Sequence, residues 1–112
     1  MASKGEIWLA NLNPQKKNNE VGKTRPVLII QSDLLNASSY PTTIIIPLTT
    51  HLIDDAKPLR VRIKKKEKLQ KNSDALIAHI RSIDNARLIE KLACITNKEL
   101  QEIFDCLYEV LD

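Results

Sequence analysis

The sequence holds two glycines, four aromatic residues, two cysteines and two histidines in 112 residues. Each shortage removes a class of chemistry. Gly5 and Gly22 are too few for a glycine-rich loop that cradles phosphate, and neither a Walker loop nor a dinucleotide fingerprint is present. No serine stands in a nucleophile-elbow pattern. Trp8, Tyr40, Phe104 and Tyr108 cannot build a base-stacking platform, and Trp8 reads as core or subunit-interface filler. Cys94 and Cys106 lie far apart, without partners at metal-ligand spacing, and read as buried or partly buried free thiols in a reducing compartment. His51 and His79 also lack a His, Cys or carboxylate at ligand spacing, so neither a metal nor another cofactor is expected. No apolar run reaches eighteen residues and no charged-then-apolar leader is present. We therefore expect no membrane span, no signal peptide and a cytoplasmic location.

The length suits one domain over residues 1–112, able to bury roughly two-thirds of its unfolded surface. The net charge of +3 hides an asymmetry. Residues 1–96 carry sixteen Lys/Arg against nine Asp/Glu, whereas residues 97–112 carry one against five. A basic body with an acidic terminal element points to a polyanionic partner for the body.

Along the chain, residues 5–12 read as a first strand ended by Asn13-Pro14. A polar loop with Lys16, Lys17 and Lys23 follows, of a length that is usually functional or mobile. Val27 to Ile30 is a β-branched second strand, and Ser32 caps a short helical turn. Residues 42–49 form a third strand in which Pro47 implies an edge, a bulge or the strand's end, leaving Thr49 and Thr50 at a rim. Residues 59–63 alternate, which predicts a half-buried strand with Arg60 and Arg62 outward. With Lys64 to Lys71 these make a run of seven cations, read either as a solvated face or as a nucleic-acid contact. Asn72-Ser73-Asp74 reads as a turn, residues 75–83 as one strand or two, and residues 88–95 as a last strand. Thr96-Asn97-Lys98-Glu99 is a capping box, opening a helix whose apolar stripe is Leu100, Ile103, Phe104, Leu107 and Leu111. The predicted fold is mainly β with a C-terminal α-helix: a small bent barrel, since closure limits exposed edges in so small a sheet. Helices do not alternate with strands, which excludes a parallel α/β sheet.

The chemistry concentrates before the second strand. Pro26 restricts Arg25 to extended backbone, so Arg25 projects from the mouth of a rigid strand, with Glu20 placed to pair with or orient it. A five-donor cation held still suits a phosphate, although an ordinary surface arginine fits the same pattern. A fixed arginine, a rim threonine, a nearby glutamate and a basic surround would support RNA cleavage by internal attack. The ribose 2′-hydroxyl attacks its own 3′-phosphate, so the protein need only move protons and stabilise the phosphorane.

Gly5-Glu6-Ile7-Trp8, Asn13-Pro14, Glu20 through Arg25-Pro26-Val27-Leu28, Pro47-Leu48-Thr49-Thr50 and Ile80-Arg81-Ser82-Ile83-Asp84 together resemble the signature blocks of the MazF/PemK-type toxins, the mRNA interferases of type II bacterial toxin–antitoxin modules. The resemblance covers nearly the whole chain in order. It implies an SH3-like barrel of the PemK/CcdB type and a homodimer in the bacterial cytoplasm. It also implies metal-independent cleavage of single-stranded RNA at short sequences, and restraint by a cognate antitoxin, MazE-like or otherwise acidic. Arg25 and Thr49 match the catalytic arginine and threonine, and Glu20 the nearby acid. Lys16, Lys17, Lys23, Thr50, His51, His79 and Arg81 are the candidate RNA contacts. The chain departs from the pattern at Ala78 and His79, where many members carry an acidic residue and a glutamine. His79 is then either a base-reading or proton-transferring group, or a filler of the groove wall. The alternative reading is a toxin of the same fold that inhibits a protein target such as DNA gyrase and cuts nothing.

Overall fold

A computed structural model of the chain describes residues 2–12 and 24–112. The described residues form seven strands and two helices: β1 (Glu6–Asn11), β2 (Thr24–Ile29), α1 (Asp33–Asn36), β3 (Thr42–Thr49), β4 (Arg60–Ile63), β5 (Ser73–Leu76), β6 (Arg81–Asp84), β7 (Leu88–Cys94) and α2 (Asn97–Leu111). Single 3₁₀ turns at Ile77–His79 and Asn85–Arg87 flank β6. The mainly-β architecture with a closing helix is therefore the one expected. Ser73 and Asp74, read from sequence as part of a turn, instead begin β5 and are buried. The 3₁₀ turn divides residues 75–83 between β5 and β6.

Every ladder is antiparallel, in the order β4-β5-β3-β2-β1-β7, with β6 joined to β3 off that path. No ladder joins β4 to β7 among the described residues, so the sheet stays open where a closed barrel would have its last seam. Residues 64–71 span that opening. Lys66 and Leu69 form an isolated bridge, the Lys68 N–H donates to the Leu92 carbonyl at 2.9 Å, and Glu67 accepts from the Cys94 N–H at 2.9 Å. Two register shifts between β1 and β7 bend the sheet.

Pro47 lies inside β3, opposite Val27 of β2. On its other edge β3 pairs with β6 through Ile45 and with β5 from Leu48 onward. Pro47 falls in the gap between these two ladders, where its missing N–H costs no ladder bond. The gap is taken by the Ile77–His79 turn, whose Ile77 is buried.

The central strands are buried on both faces, which is why β2 and β3 read as continuous apolar runs. Ile7, Leu28, Ile46, Leu48, Val61 and Ile63 fill one side together with Ile103, Cys106 and Leu107 of α2. Ala10, Val27, Ile29, Ile45 and Ile83 form a second cluster, bordered by the half-buried Trp8, Leu12 and Leu88. The capping box closes in both directions: the Glu99 N–H donates to Thr96 Oγ1 at 3.0 Å and Glu99 Oε1 accepts from the Thr96 N–H at 2.9 Å. Leu111, expected in the buried stripe, is 66% exposed, and in that last turn it is Val110 that packs against the core. Cys106 is buried as expected, but Cys94 is exposed on β7.

Candidate active site

Arg25 enters β2 one residue before Pro26, and its backbone is tied across the ladder to Ala10 of β1. That rigid placement follows from the proline, which forces the preceding residue out of the helical region. Between β2 and β3 the register sets Ile29 against Ile45 and Val27 against Pro47. The ladder ends at that last pair, and Arg25 and Thr49 each lie two residues beyond it on their own strands. Directly opposed residues share a face, and every second residue along a strand returns to it. By this alternation Arg25 falls on the face of Val27 and Ile29 and Thr49 on the face of Ile45, both at the same end of the antiparallel β2–β3 pair. Both are half-buried, held firmly but open to a ligand.

Thr49 is the last residue of β3, and the chain turns immediately after it. The His51 N–H donates to Thr49 Oγ1 at 3.2 Å, a local side-chain turn that leaves the hydroxyl's own proton for another acceptor. Thr50 and His51 are exposed beyond it. His79 is exposed at the end of the 3₁₀ turn, beside the middle of β3. Arg81 opens β6 opposite Ile45 and is also exposed. Ile45 is four residues from Thr49, about 13 Å at the usual strand rise, so the β3–β6 register does not bring Arg81 to Thr49. Glu20, Lys16, Lys17 and Lys23 lie outside the described residues. Among the described residues no three His, Cys, Asp or Glu side chains gather as metal ligands.

The basic run is not a uniform charged face. Arg60 and Arg62, expected to point outward, turn to a carboxylate that sequence reasoning left without a role. Asp74 is 1% exposed; Arg62 Nε donates to its Oδ1 at 2.6 Å, and Arg60 Nη1 and the Ile53 N–H donate to its Oδ2 at 3.2 and 2.9 Å. Burial alone would raise the Asp74 carboxyl, but the bonds from Arg62, the Ile53 amide and Arg60 hold it below the ordinary aspartate range. Arg62 also reaches Asp54, at 2.8 Å. Lys66 pairs with Glu99 at 2.5 Å, tying the run to the start of α2. The sequence signal for this network is an alternating Arg-x-Arg strand with one acid in an otherwise small-residue strand, which becomes specific only once β4 and β5 are paired.

Two cavities flank the strand ends. One of about 260 Å³ has an apolar floor of Leu9, Pro26, Leu69 and Leu92, with Thr50 and Lys71 at its rim. The larger, about 670 Å³, lies over Asp74 between Ile53, Asp54, Lys57, Arg60 and Arg62. In the larger one the two guanidinium groups already have carboxylate partners, and the smaller is lined by Pro26, which by strand alternation faces away from Arg25.

Residues 3–111 match the family model of the PemK-like, MazF-like toxin of type II toxin–antitoxin systems. A curated relative, Endoribonuclease MazF of Staphylococcus saprophyticus, is 41% identical over 105 residues, covering 92% of this chain and 85% of the relative. Among solved structures, an endoribonuclease in complex with its cognate antitoxin from a mycobacterial species superposes with a TM-score of 0.78 at 17% identity, over 99% of this chain and 95% of that one. MazF from Deinococcus radiodurans superposes with a TM-score of 0.75 at 24% identity, over 98% and 96%. At such identities the superpositions establish a shared fold, and the sequence match supplies the kinship. The chain belongs to the PemK-like, MazF-like toxins of type II toxin–antitoxin systems.

Proposed function

We infer that the protein is a toxin endoribonuclease that cleaves single-stranded RNA and is restrained by a cognate antitoxin. The observation that carries this reading is the placement of Arg25 and Thr49 at the same end of the antiparallel β2–β3 pair, in a chain 41% identical to an endoribonuclease. That relative also sets aside a non-enzymatic toxin acting on gyrase. The antitoxin partner is supported by the complex formed by the mycobacterial neighbour. A homodimer accords with the half-buried Trp8, Leu12 and Leu88 bordering the second apolar cluster. No helix of the described residues is long and apolar enough to cross a membrane, and a bacterial cytoplasmic site of action accords with an mRNA substrate.

In the reaction the 2′-hydroxyl loses its proton, its oxygen attacks the adjacent 3′-phosphorus, and the bond to the 5′-oxygen breaks as that oxygen takes a proton. The products are a 2′,3′-cyclic phosphate and a 5′-hydroxyl. Arg25 offers fixed, charge-assisted donors to the phosphorane oxygens, and the Thr49 hydroxyl offers one more. A donor placed in advance is worth about 10²–10³ in rate, and proton transfer by a positioned group about 10²–10⁴. Glu20, His51 and His79 are the groups proposed for proton movement and base contact, with Thr50, Arg81 and the loop lysines holding flanking nucleotides. Arg25→Ala should abolish cleavage of a mixed RNA substrate in EDTA while leaving the melting temperature nearly unchanged, since it removes a rim cation rather than core. A 2′-deoxy nucleotide 5′ to the cut should block the wild-type enzyme completely. Cutting of that substrate, or a strict magnesium requirement, would refute the mechanism.

A further inference from the structure

Among the described residues Asp74 is the one ionisable side chain that is fully buried, and the reaction described above does not use it. Its placement is specific. In the β3–β5 ladder Asp74 stands opposite Thr49, and in the β4–β5 ladder opposite Arg62. Asp74 Oδ2 accepts the Ile53 N–H at 2.9 Å and Arg60 Nη1 at 3.2 Å. The same Arg60 Nη1 donates to the His51 carbonyl at 2.8 Å. The His51 N–H in turn donates to Thr49 Oγ1 at 3.2 Å.

The five residues that leave β3 are therefore held at three successive points. Thr49 is held by the ladder, His51 by its carbonyl to Arg60, and Ile53 by its amide to Asp74. The middle contact matters chemically. With the His51 N–H occupying one lone pair of Thr49 Oγ1, the hydroxyl proton is turned away from the turn and toward an outside acceptor. If His51 drifts, that lone pair is released and the hydroxyl rotates freely. Rigid support of this kind separates a pre-placed donor from an ordinary surface threonine, because a misplacement of about 1 Å can cost about 10²-fold in rate.

We propose that Asp74, acting through Arg60 and the His51 backbone, is a positioning residue that fixes the Thr49 hydroxyl as a donor to the reacting phosphate. The role rests on the reading of Thr49 as a site residue. It needs no contact between Asp74 and RNA, and it explains why a carboxylate is buried in β5 where a small apolar residue would pack at less cost.

The test is a double-mutant cycle on the full chain, cleaving a fluorogenic RNA with one cut site, well below the melting temperature of every variant. Asp74→Asn in the wild-type background should lower kcat by about 10–100-fold with KM changed less than about two-fold. In the Thr49→Ala background the same change should alter kcat by less than about two-fold, because nothing remains to be positioned. Arg60→Met, which removes the bond to His51 but leaves Arg62 on Asp74, should reproduce the result and stands in if Asp74→Asn does not fold. Arg60→Lys should restore part of the rate. Equal losses from Asp74→Asn in both backgrounds would mean a general effect on the fold and overturn the proposal. If Thr49→Ala alone cleaved like the wild type, the reading of Thr49 would fail first, and the positioning role with it.

Discussion

Salt dependence of RNA binding decides how much of the run from Arg60 to Lys71 meets the substrate. Of its seven cations, Arg60 and Arg62 are held by Asp74 and Lys66 by Glu99. Lys68 meets Glu90 only at 3.7 Å, with both side chains largely exposed. Lys64, Lys65 and Lys71 form no ion pair among the described residues, so at most four charges are free to displace counterions. Each phosphate neutralised on a single strand contributes about −0.7 to the log–log salt slope. Four contacts give about −2.8, or about 50-fold weaker binding between 50 and 200 mM salt; all seven would give about −4.9 and about 900-fold. The perturbation is Lys64→Ala, Lys65→Ala, Lys68→Ala and Lys71→Ala combined, with Lys66→Met as the control. Fluorescence anisotropy with an RNA carrying a 2′-deoxy nucleotide at the cut site measures affinity without turnover. We expect the combined variant to flatten the slope by up to about 2.8 and the control to leave it unchanged. No change in the combined variant would make the run a solvated face. A loss in the control as large as that of one free lysine would show that ion pairing does not withhold these charges.

Two further predictions concern the fold that carries the site. Glu99→Gln removes the charge that pairs with Lys66 and anchors the capping box, which should cost about 2 kcal/mol at pH 7, as charge-assisted hydrogen bonds usually do. Burial alone would raise the Glu99 carboxyl, but the bonds from Lys66 and the Thr96 amide bring it below its ordinary value of 4.5. Its contribution is thus complete above that value and lost as pH falls through the lower folded one, so urea midpoints of wild type and variant should draw together below about pH 4. A gap that did not narrow as pH fell would contradict the assignment. Ile103→Ala, at a fully buried position of α2, should cost about 2–5 kcal/mol, whereas Leu111→Ala should stay within about 0.5 kcal/mol. Comparable losses at both positions, measured by urea unfolding, would mean that the last turn of α2 docks more closely than it does here.

Local signals in the chain were enough for the elements and for the family. The Arg25-Pro26 step, the isoleucine run of β3 and the Thr96–Glu99 box each determine backbone within a few residues, through sterics, β-branching or capping, and each element formed where its signal stood. The placement of the two residues was legible for a similar reason: Arg25 lies near the start of β2 and Thr49 at the end of β3, which antiparallel pairing puts at one end of the sheet. What the sequence could not settle depends on which strands become neighbours. Asp74 looked like a turn residue because its partners, Arg60, Arg62 and the Ile53 amide, are twelve to twenty-one residues away in the chain. Paired guanidinium groups look no different in a sequence from free ones, so the basic run appeared uniform. Leu111 matched the helical stripe, but how α2 is rotated on the core decides which residue of its last turn is covered, and that residue is Val110. The open seam between β4 and β7, bridged by residues 64–71, is likewise a property of the ladders. Periodicity specifies a strand and its faces; only tertiary pairing decides which charges meet across them.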